Sequence, residues 1–554
     1  MTPSIELLYP TVDGKQVPNV AMYRTESPRS ARLSEALVEP FSEQGANLNN
    51  PQGAKEFSFG KLLKQLGPAF LVSIGYLDPG NWATDIEGGS RFGYELLWVL
   101  ALSNMMGLLL QTLASRLGIV TKRHLAELCR LEYPTWCCRL LWVFAELAIV
   151  ATDLAEVIGT AIGLNLVFGI PLLIGVLITM LDTFILLVVQ SYGMRRFEYL
   201  IFVFLAIISS CFVLELLFSK PSVSGILMGF IPRLRHDSIY IAIGMIGATV
   251  MPHNLFLHSK LVQERVVDRR IAVLRNQCFY NLVDSVIALN AALFINCSIL
   301  IVAAASFWRR GIDVTTLQKA HELLHTIDSK LWGIELAPLL FGIALIAAGQ
   351  SSTLCGTLAG QFVMEGFLDM HVSPLFQRLL SRSLAIIPSC VVILLFGDEG
   401  SYQLLIFSQV VLSLQLPFAI IPVIRFTSSV TKMGKFANSL LVSTMAWLAA
   451  CLCIGLNSLL VFDSLIDWIN STCTLCKFLG VALGFPFYVL LHGLLLWLTF
   501  RKESSIPQVS YHQTVIDDEN NHEQELLQSV SQTNHHHVQL YDPLEEPNTD
   551  KNGL

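Results

Sequence analysis

Residues 75–81 read Gly-Tyr-Leu-Asp-Pro-Gly-Asn, and they lie in the middle of an apolar run that covers residues 66–90. Proline has no amide hydrogen and clashes with the preceding helical turn, whereas glycine accepts almost any backbone angle. Together they predict about one turn of unwound chain inside a helix long enough to cross a bilayer. Irregular backbone at that depth is tolerated only where it lines a polar cavity.

A second stretch repeats this pattern. Residues 244–254 read Gly-Met-Ile-Gly-Ala-Thr-Val-Met-Pro-His-Asn within the apolar run 238–260. If the first and sixth spans begin two five-helix halves, the two breaks lie at matching places. Interrupted helices at matching places predict a transport site near the middle of the membrane. The alternative is that both are proline kinks that bind nothing.

The rest of the chain predicts an all-α polytopic membrane protein. Of its 554 residues 53% are hydrophobic and only 14% are charged, whereas about 25% are charged in soluble proteins. This composition excludes a chain that folds into several soluble domains. We expect 12 spans, at about 66–90, 94–119, 138–163, 166–190, 197–219, 238–260, 279–306, 334–365, 380–397, 402–424, 438–461 and 478–500.

The polar segments predict the domain boundaries. Residues 1–57 form a polar N-terminal tail without the apolar core of a signal peptide. Residues 58–500 form the transmembrane domain, with repeats at about 58–219 and 238–424 and additional helices at about 438–500. Residues 501–554 hold ten acidic and three basic residues, which accounts for the net charge of −7. We expect this acidic tail to be disordered, and no feature favours nucleic-acid binding.

The basic residues predict that both termini are cytoplasmic. With that orientation, the inner segments and adjoining span ends hold 26 of the 36 Lys and Arg residues, and the outer loops hold nine. Asn470 begins the sequence Asn-Ser-Thr, a glycosylation site that this topology places outside. Cys473 and Cys476 follow it, either as a disulfide in an oxidising lumen or as free thiols.

The side chains at the two breaks favour a cation. The Asp78 carboxylate, the Asn81 amide oxygen and freed backbone carbonyls provide oxygen ligands, and Met251 adds a soft thioether. This combination favours Mn²⁺, Fe²⁺ or similar ions over Ca²⁺ or Mg²⁺. A methionine in an apolar helix is more often a packing residue, but Met251 directly precedes Pro252 at the break.

The third span carries a second polar system. Four of its polar residues, separated by seven, three and four positions, share one helical face: Glu146, Asp153, Glu156 and Thr160. Such a row is typical of a proton relay, although buried hydrogen bonds or ion pairs would give the same pattern. Arg378 and Arg382 are the expected basic partners. His253, which borders the second break, is either a relay or gating residue or a structural one.

These motifs resemble the Nramp family of proton-coupled divalent-metal transporters. The similarity covers roughly residues 57–500, and four stretches carry it, namely 78–81, 146–160, 248–253 and 349–361. The resemblance implies a leucine-transporter-like fold with inverted five-helix repeats and discontinuous helices 1 and 6. It also implies metal ligation by Asp78, Asn81, the Ala248 carbonyl, Met251 and, in some states, Gln409, with Gln415 the weaker candidate. The implied proton pathway runs through Asp153, Glu156 and His253.

The expected function is therefore proton-coupled import of Mn²⁺ or Fe²⁺ into the cytosol by alternating access, across a plasma, endosomal or vacuolar membrane. Metal ions, protons and lipid are the expected partners. Neither a resident cofactor nor an enzymatic activity is expected. Two alternatives are a sodium-coupled amino-acid symporter of the same fold and a metal sensor that does not transport. In the tail, residues 535–537 are three histidines, and Tyr541 begins a Tyr-Asp-Pro-Leu sequence similar to an endocytic signal.

Overall fold

A computed structural model describes residues 67–502 except 192–193, 266–269, 313, 325–329, 332–333, 370–373 and 471–479. Almost all of these residues are helical, which confirms the predicted fold class. The N-terminal tail, most of the acidic tail, Cys473, Cys476, residues 535–537 and Tyr541 lie outside the described residues.

The helices of the two predicted halves follow one another along the chain. The first half comprises α1 (Pro68–Gly75), α2 (Pro79–Phe92), α3 (Leu97–Thr121), α4 (Leu125–Glu132), α5 (Thr135–Phe168), α6 (Leu172–Ser191) and α7 (Met194–Ser219). A short α8 (Val223–Gly229) follows. The second half comprises α9 (Ile239–Val250), α10 (Pro252–Leu261), α11 (Ile271–Ser306), α12 (Leu317–Leu324), α13 (Leu336–Leu368) and α14 (Pro374–Ser428). After it come α15 (Val430–Met433), α16 (Leu440–Asn470) and α17 (Phe485–Phe500).

Both predicted breaks are present. Residues 76–78 separate α1 from α2, and Met251 alone separates α9 from α10, with a proline at the first position of each following helix. Met251 has φ 42° and ψ 109°, outside every helical region and uncommon for a residue with a side chain. The fixed φ of Pro79 and Pro252 suits the first turn of a helix, where its missing amide hydrogen leaves no bond unmade.

The ninth and tenth spans lie in α14, whose two helical parts meet at a kink at Gly397 (φ 62°, ψ −145°), which agrees with the predicted end of the ninth span at residue 397. Other predicted boundaries were wrong in detail. Residues 166–168 belong to α5, because the chain turns at Gly169 with φ 68°. Two antiparallel two-residue strands, β1 (Lys330–Leu331) and β2 (Ile334–Glu335), precede α13 and were not predicted.

Length and composition support a membrane-embedded core. Eight helical segments of the described residues are long and apolar enough to cross a membrane. One of them is α14, which holds two predicted spans. The split helix α1–α2 and the shorter apolar segments in α6 and α17 occupy the remaining predicted positions.

The central helix of the molecule is α5. Its most extensive packing partners are α13 and α14. Small residues permit this closeness: a Cβ atom on Gly349 of α13 would lie 2.1 Å from the Thr160 hydroxyl of α5. On the other side, a Cβ atom on Gly159 of α5 would lie 2.0 Å from the Pro79 ring. The polar face of α5 therefore lies between the first break and α13.

Candidate metal site and buried ion-pair network

Asp78 holds the amino end of α2 in place. Its extended backbone ends the unwound segment, and its Oδ1 accepts a hydrogen bond of 2.9 Å from the Asn81 amide N–H. Its Oδ2 accepts a second bond of 3.2 Å from Gln409 Nε2 on α14. All three side chains are fully buried. The carboxylate is thus fixed in direction by two donors while it remains shielded from water.

Asn81 presents an oxygen that has no protein partner. Its Nδ2 donates to the Tyr76 carbonyl at 2.5 Å, and Asn296 Nδ2 on α11 donates to the same carbonyl at 3.0 Å. Among the described residues, Asn81 Oδ1 and Gln409 Oε1 are buried and have no hydrogen-bond donor. Buried polar atoms are normally satisfied, so these two oxygens beside Asp78 suit a ligand.

Met251 lies at the second break with its side chain buried. Its Sδ accepts a contact of 3.4 Å from Asn254 Nδ2, and it packs against Ala148, Ala151 and Leu412. The packing interpretation of this residue is therefore partly correct. The side chain is nevertheless fully buried, and its sulfur lies next to a polar group, the Asn254 amide.

Glycines bring the two breaks and α14 together. A Cβ atom on Gly75, the last residue of α1 before the first break, would lie 2.5 Å from Asn254 Nδ2, which contacts Met251. A Cβ atom on Gly80 would lie 1.7 Å from Gln409 Nε2. Backbone and side chain can approach this closely only because these positions lack a Cβ atom.

Ala248 contributes through its backbone. In a continuous helix its carbonyl would accept from the amide four residues later, which here belongs to Pro252 and has no hydrogen. The Gly247 carbonyl, by contrast, accepts from Met251 N at 3.2 Å. The sequence thus leaves the Ala248 carbonyl without its usual helical donor at the level of the break.

The polar face of α5 pairs with two arginines from α14. Arg378 Nη1 lies 2.7 Å from Asp153 Oδ1, and Arg382 Nη1 lies 3.2 Å from Glu156 Oε2. Cross-contacts of 3.6 and 3.7 Å complete a two-by-two network in which every side chain is at most 3% exposed. These are the basic partners predicted from the sequence. The network has equal numbers of acids and bases.

The 349–361 stretch of α13 supports this network. Ser352 donates to Glu156 Oε1 at 2.9 Å, and the Thr353 carbonyl accepts from Arg378 Nη2 at 3.3 Å. A Cβ atom on Gly356 would lie 3.2 Å from Glu156 Oε1. Small and hydroxyl-bearing residues at these positions therefore make room for the carboxylates and hydrogen-bond to them.

The other predicted relay residues border the network. His253 is 1% exposed and interacts electrostatically with Asp153, and neither ring nitrogen has a hydrogen-bond partner among the described residues. Glu146, two turns before Asp153, accepts from Trp142 Nε1 at 3.1 Å. Glu156 also interacts electrostatically with Asp78, so the metal site and the network are neighbours.

Comparison with known proteins identifies the family. Residues 69–463 match the family described as Natural resistance-associated macrophage protein-like, abbreviated Nramp. The chain belongs to the Nramp family. It is 49% identical over 469 residues to the Natural resistance-associated macrophage protein 2 homolog of Dictyostelium discoideum, covering 84% of this chain and 73% of that protein. It is 51% identical over 411 residues to the divalent metal cation transporter MntH of Bradyrhizobium diazoefficiens, covering 73% and 90%.

Solved structures agree with the fold. The manganese transporter of Eremococcus coleocola, crystallised with an aromatic bis-isothiourea substituted compound, has a TM-score of 0.74 at 33% identity, covering 83% of this chain and 98% of that one. Mhp1, a nucleobase-cation-symport-1 family transporter, has a TM-score of 0.50 at 14% identity and covers 81% and 96%, which shows the fold alone. This Nramp protein is an integral membrane protein with the leucine-transporter-like fold.

The structure distinguishes between some of the predicted residues. Gln409 contacts Asp78, whereas Gln415, six residues further along α14, is not among the residues described around that carboxylate. Asn470 is exposed at the end of α16, but Ser471 and Thr472 of its sequon lie outside the described residues. Its glycosylation stays a prediction.

Sequence reasoning missed several polar residues of this Nramp protein. Asn254 and Asn296 contact the breaks, and His258 Nδ1 lies 3.0 Å from Gln111 Oε1, whose amide nitrogen donates to the Tyr76 hydroxyl. Single polar residues in long apolar helices carry no periodic signal. Asn254 could have been found, because it follows Met251 by three positions and therefore shares its helical face.

Proposed function

We propose that this Nramp protein imports divalent transition-metal ions, Mn²⁺ or Fe²⁺, into the cytosol by proton-coupled alternating access. The observation that carries the proposal is the buried oxygen cluster of Asp78, Asn81 and Gln409, in which two oxygens have no donor among the described residues. The relatives named as divalent metal cation transporters support it. Asp78, Asn81, the Ala248 carbonyl, Met251 and Gln409 are the proposed ligands.

The ligand set explains the choice of ion. Carboxylate, amide and carbonyl oxygens bind hard cations, whereas the thioether of Met251 favours softer transition ions. Among the described residues, no three His, Cys, Asp or Glu side chains come together in the manner of a permanent metal site. A site with one carboxylate neutralises only half the charge of a divalent ion, which suits cargo that must be released.

Proton movement follows from the neighbouring acids. A ligand carboxylate must be ionised, so metal binding displaces a proton from Asp78. Glu156 is the acid of the α5 network that interacts with Asp78. Asp153 shares the same two arginines with Glu156, and Glu146 lies two turns before Asp153, nearer the start of α5. With the amino terminus cytoplasmic, α5 runs from inside to outside, so this order leads the proton inward. His253 borders the route at Asp153.

Uptake into proteoliposomes tests the proposal. We expect radiolabelled Mn²⁺ to accumulate faster when the outside is acidic than when pH is equal on both sides, because the inward proton gradient and the cargo move together. An inside-negative membrane potential should increase the driving force for uptake by about 2.3 kcal/mol per charge for each 100 mV. Uptake that is insensitive to both gradients would contradict proton coupling. Binding without any uptake would favour the metal sensor, and sodium-dependent amino-acid uptake would favour the amino-acid symporter.

Replacing Met251 by Ala tests the role of sulfur. We expect Mn²⁺ uptake to persist in part, while the preference for Mn²⁺ over Ca²⁺ falls about tenfold, or ~1.4 kcal/mol, because the soft ligand is lost. Competition of Ca²⁺ against labelled Mn²⁺ measures this preference. Met245→Ala is the matched control, since Met245 is equally buried on α9 but packs against Gly88 away from the break. Equal selectivity in both variants would remove Met251 from the ligands.

A further inference from the structure

A second buried acid lies outside the proposed metal site. Asp85 on α2 is fully buried, and both of its carboxylate oxygens lack a hydrogen-bond partner among the described residues. Buried charges are normally paired with another group or bound to a metal, and an intramembrane acid is by default a functional candidate. The proton pathway proposed above does not use this residue.

Its position on α2 continues the line of metal-site residues. Asp78, Asn81 and Asp85 are spaced by three and four residues, which places them on one face of the helix. A rise of 1.5 Å per residue puts Asp85 about 10 Å beyond Asp78 along the helix axis. The two carboxylates still interact electrostatically. In the proposed topology α2 runs outward, so Asp85 lies on the outer side of Asp78.

The facing helix α11 brings further ligand atoms to the same level. The split helix α1–α2 and α11 run in the same direction, since Ala69 N donates to Asp284 Oδ2 at 3.0 Å and a Cβ atom on Gly89 would lie 2.5 Å from the Leu300 carbonyl oxygen. Asp85 and Asn296, each four residues earlier on its helix, therefore lie at a similar height. Cys297, partly buried on α11, interacts electrostatically with Asp85. Asn296 Oδ1 is buried and, among the described residues, has no donor. Its amide nitrogen shares the Tyr76 carbonyl with Asn81.

We propose that Asp85 and Cys297 form a second binding site for a divalent transition-metal ion, on the outer side of Asp78. A carboxylate beside a thiolate favours transition ions over Ca²⁺ and Mg²⁺. Asn81 lies between Asp78 and Asp85 on the same face of α2, so an ion leaving Asp85 meets an amide oxygen on its way inward. That an ion binds here before it moves on to Asp78 rests on the proposed transport function. That the site binds a metal ion does not depend on transport.

Cadmium titration of the purified full-length protein tests the site. Cd²⁺ bound to a thiolate gives an ultraviolet charge-transfer band, and a thioether such as Met251 gives none. Binding to Cys297 releases its thiol proton, because the thiolate is the ligand. We expect the band of Cys297→Ser to be weaker by the intensity of one Cd²⁺-bound thiolate. In Asp85→Asn, the Cd²⁺ affinity measured from this component of the band should fall at least tenfold.

Two controls separate this site from the others. Cys278→Ser alters a partly buried cysteine on the same helix that faces Arg116 instead of an acid, and it should leave the Cys297 band intact. Asp78→Ala, which we expect to stop transport, should also leave it intact. The proposal would be overturned if the Cd²⁺ band of Cys297→Ser were the same as that of Cys278→Ser. It would also be overturned if the Cd²⁺ affinity of Asp85→Asn stayed within twofold of wild type. Mn²⁺ uptake by the wild-type protein is measured in parallel. A failure of uptake would count against the transport function, and not against metal binding at Asp85 and Cys297.

Discussion

Asp78→Asn is expected to reduce Mn²⁺ uptake more than 100-fold. The substitution keeps the size of the side chain and an oxygen that accepts from the Asn81 amide, but it removes the only negative charge among the proposed ligands. Two unit charges about 4 Å apart interact by about 4 kcal/mol at an effective dielectric constant near 20, and a divalent ion doubles this. Even half of that energy exceeds the ~2.7 kcal/mol that corresponds to a 100-fold loss.

Initial rates of labelled Mn²⁺ uptake in proteoliposomes measure the effect. The matched control is Asp463→Asn, which removes a partly exposed acid that lies 3.6 Å from His236, and its uptake should stay within twofold of wild type. The Asp78→Asn protein should also be at least as resistant to thermal unfolding as wild type, because a buried charge is removed. Uptake within threefold of wild type would exclude Asp78 as the charged ligand.

Arg378→Gln is expected to lower the free energy of unfolding by about 3 kcal/mol. Removing one partner of a buried ion pair leaves the other charge uncompensated, which typically costs 3–5 kcal/mol. Here Arg378 is the closest partner of Asp153, at 2.7 Å, while Arg382 lies 3.7 Å from the same oxygen and limits the loss. Denaturant titration in detergent measures the change.

A double variant and an exposed control make this result specific. Asp153→Asn combined with Arg378→Gln should recover at least 1 kcal/mol, because the uncompensated acid is gone. Arg91→Gln breaks an ion pair of 3.0 Å with Glu87, but Arg91 is 42% exposed and the change should stay within about 0.5 kcal/mol. If the changes in the free energy of unfolding of the two single variants add up to that of the double variant, Asp153 and Arg378 do not stabilise each other.

The fold was predictable because its deciding residues act locally. Pro79, followed by Gly80, and Pro252 each remove a helical hydrogen bond through local chemistry, and apolar runs of sufficient length predict the spans. The end of the ninth span at residue 397 was also predicted, and the structure has a kink with positive φ at Gly397. The sequence did not show that the next helical part follows this kink directly, without the loop expected at residues 398–401.

The site was predictable only in part. Spacing on α5 identified Asp153 and Glu156, and the network with Arg378 and Arg382 is present as predicted. The partnership of Ser352 with Glu156 depends on how closely α13 approaches α5, which no local pattern specifies. Asp85 carried a usable signal, since it follows Asp78 by seven residues on the same helix, and it was overlooked.

The two half-helices that begin at the breaks have an electrical consequence. The amino ends of α2 and α10 are positive poles, and amide hydrogens there repel a cation, while the carbonyls ending α1 and α9 attract it. Pro79 and Pro252 each remove one of those repelling hydrogens at the first position. Because the two kinds of pole have opposite signs, the helix dipoles offset each other at the proposed site and leave the attraction of a cation mainly to Asp78.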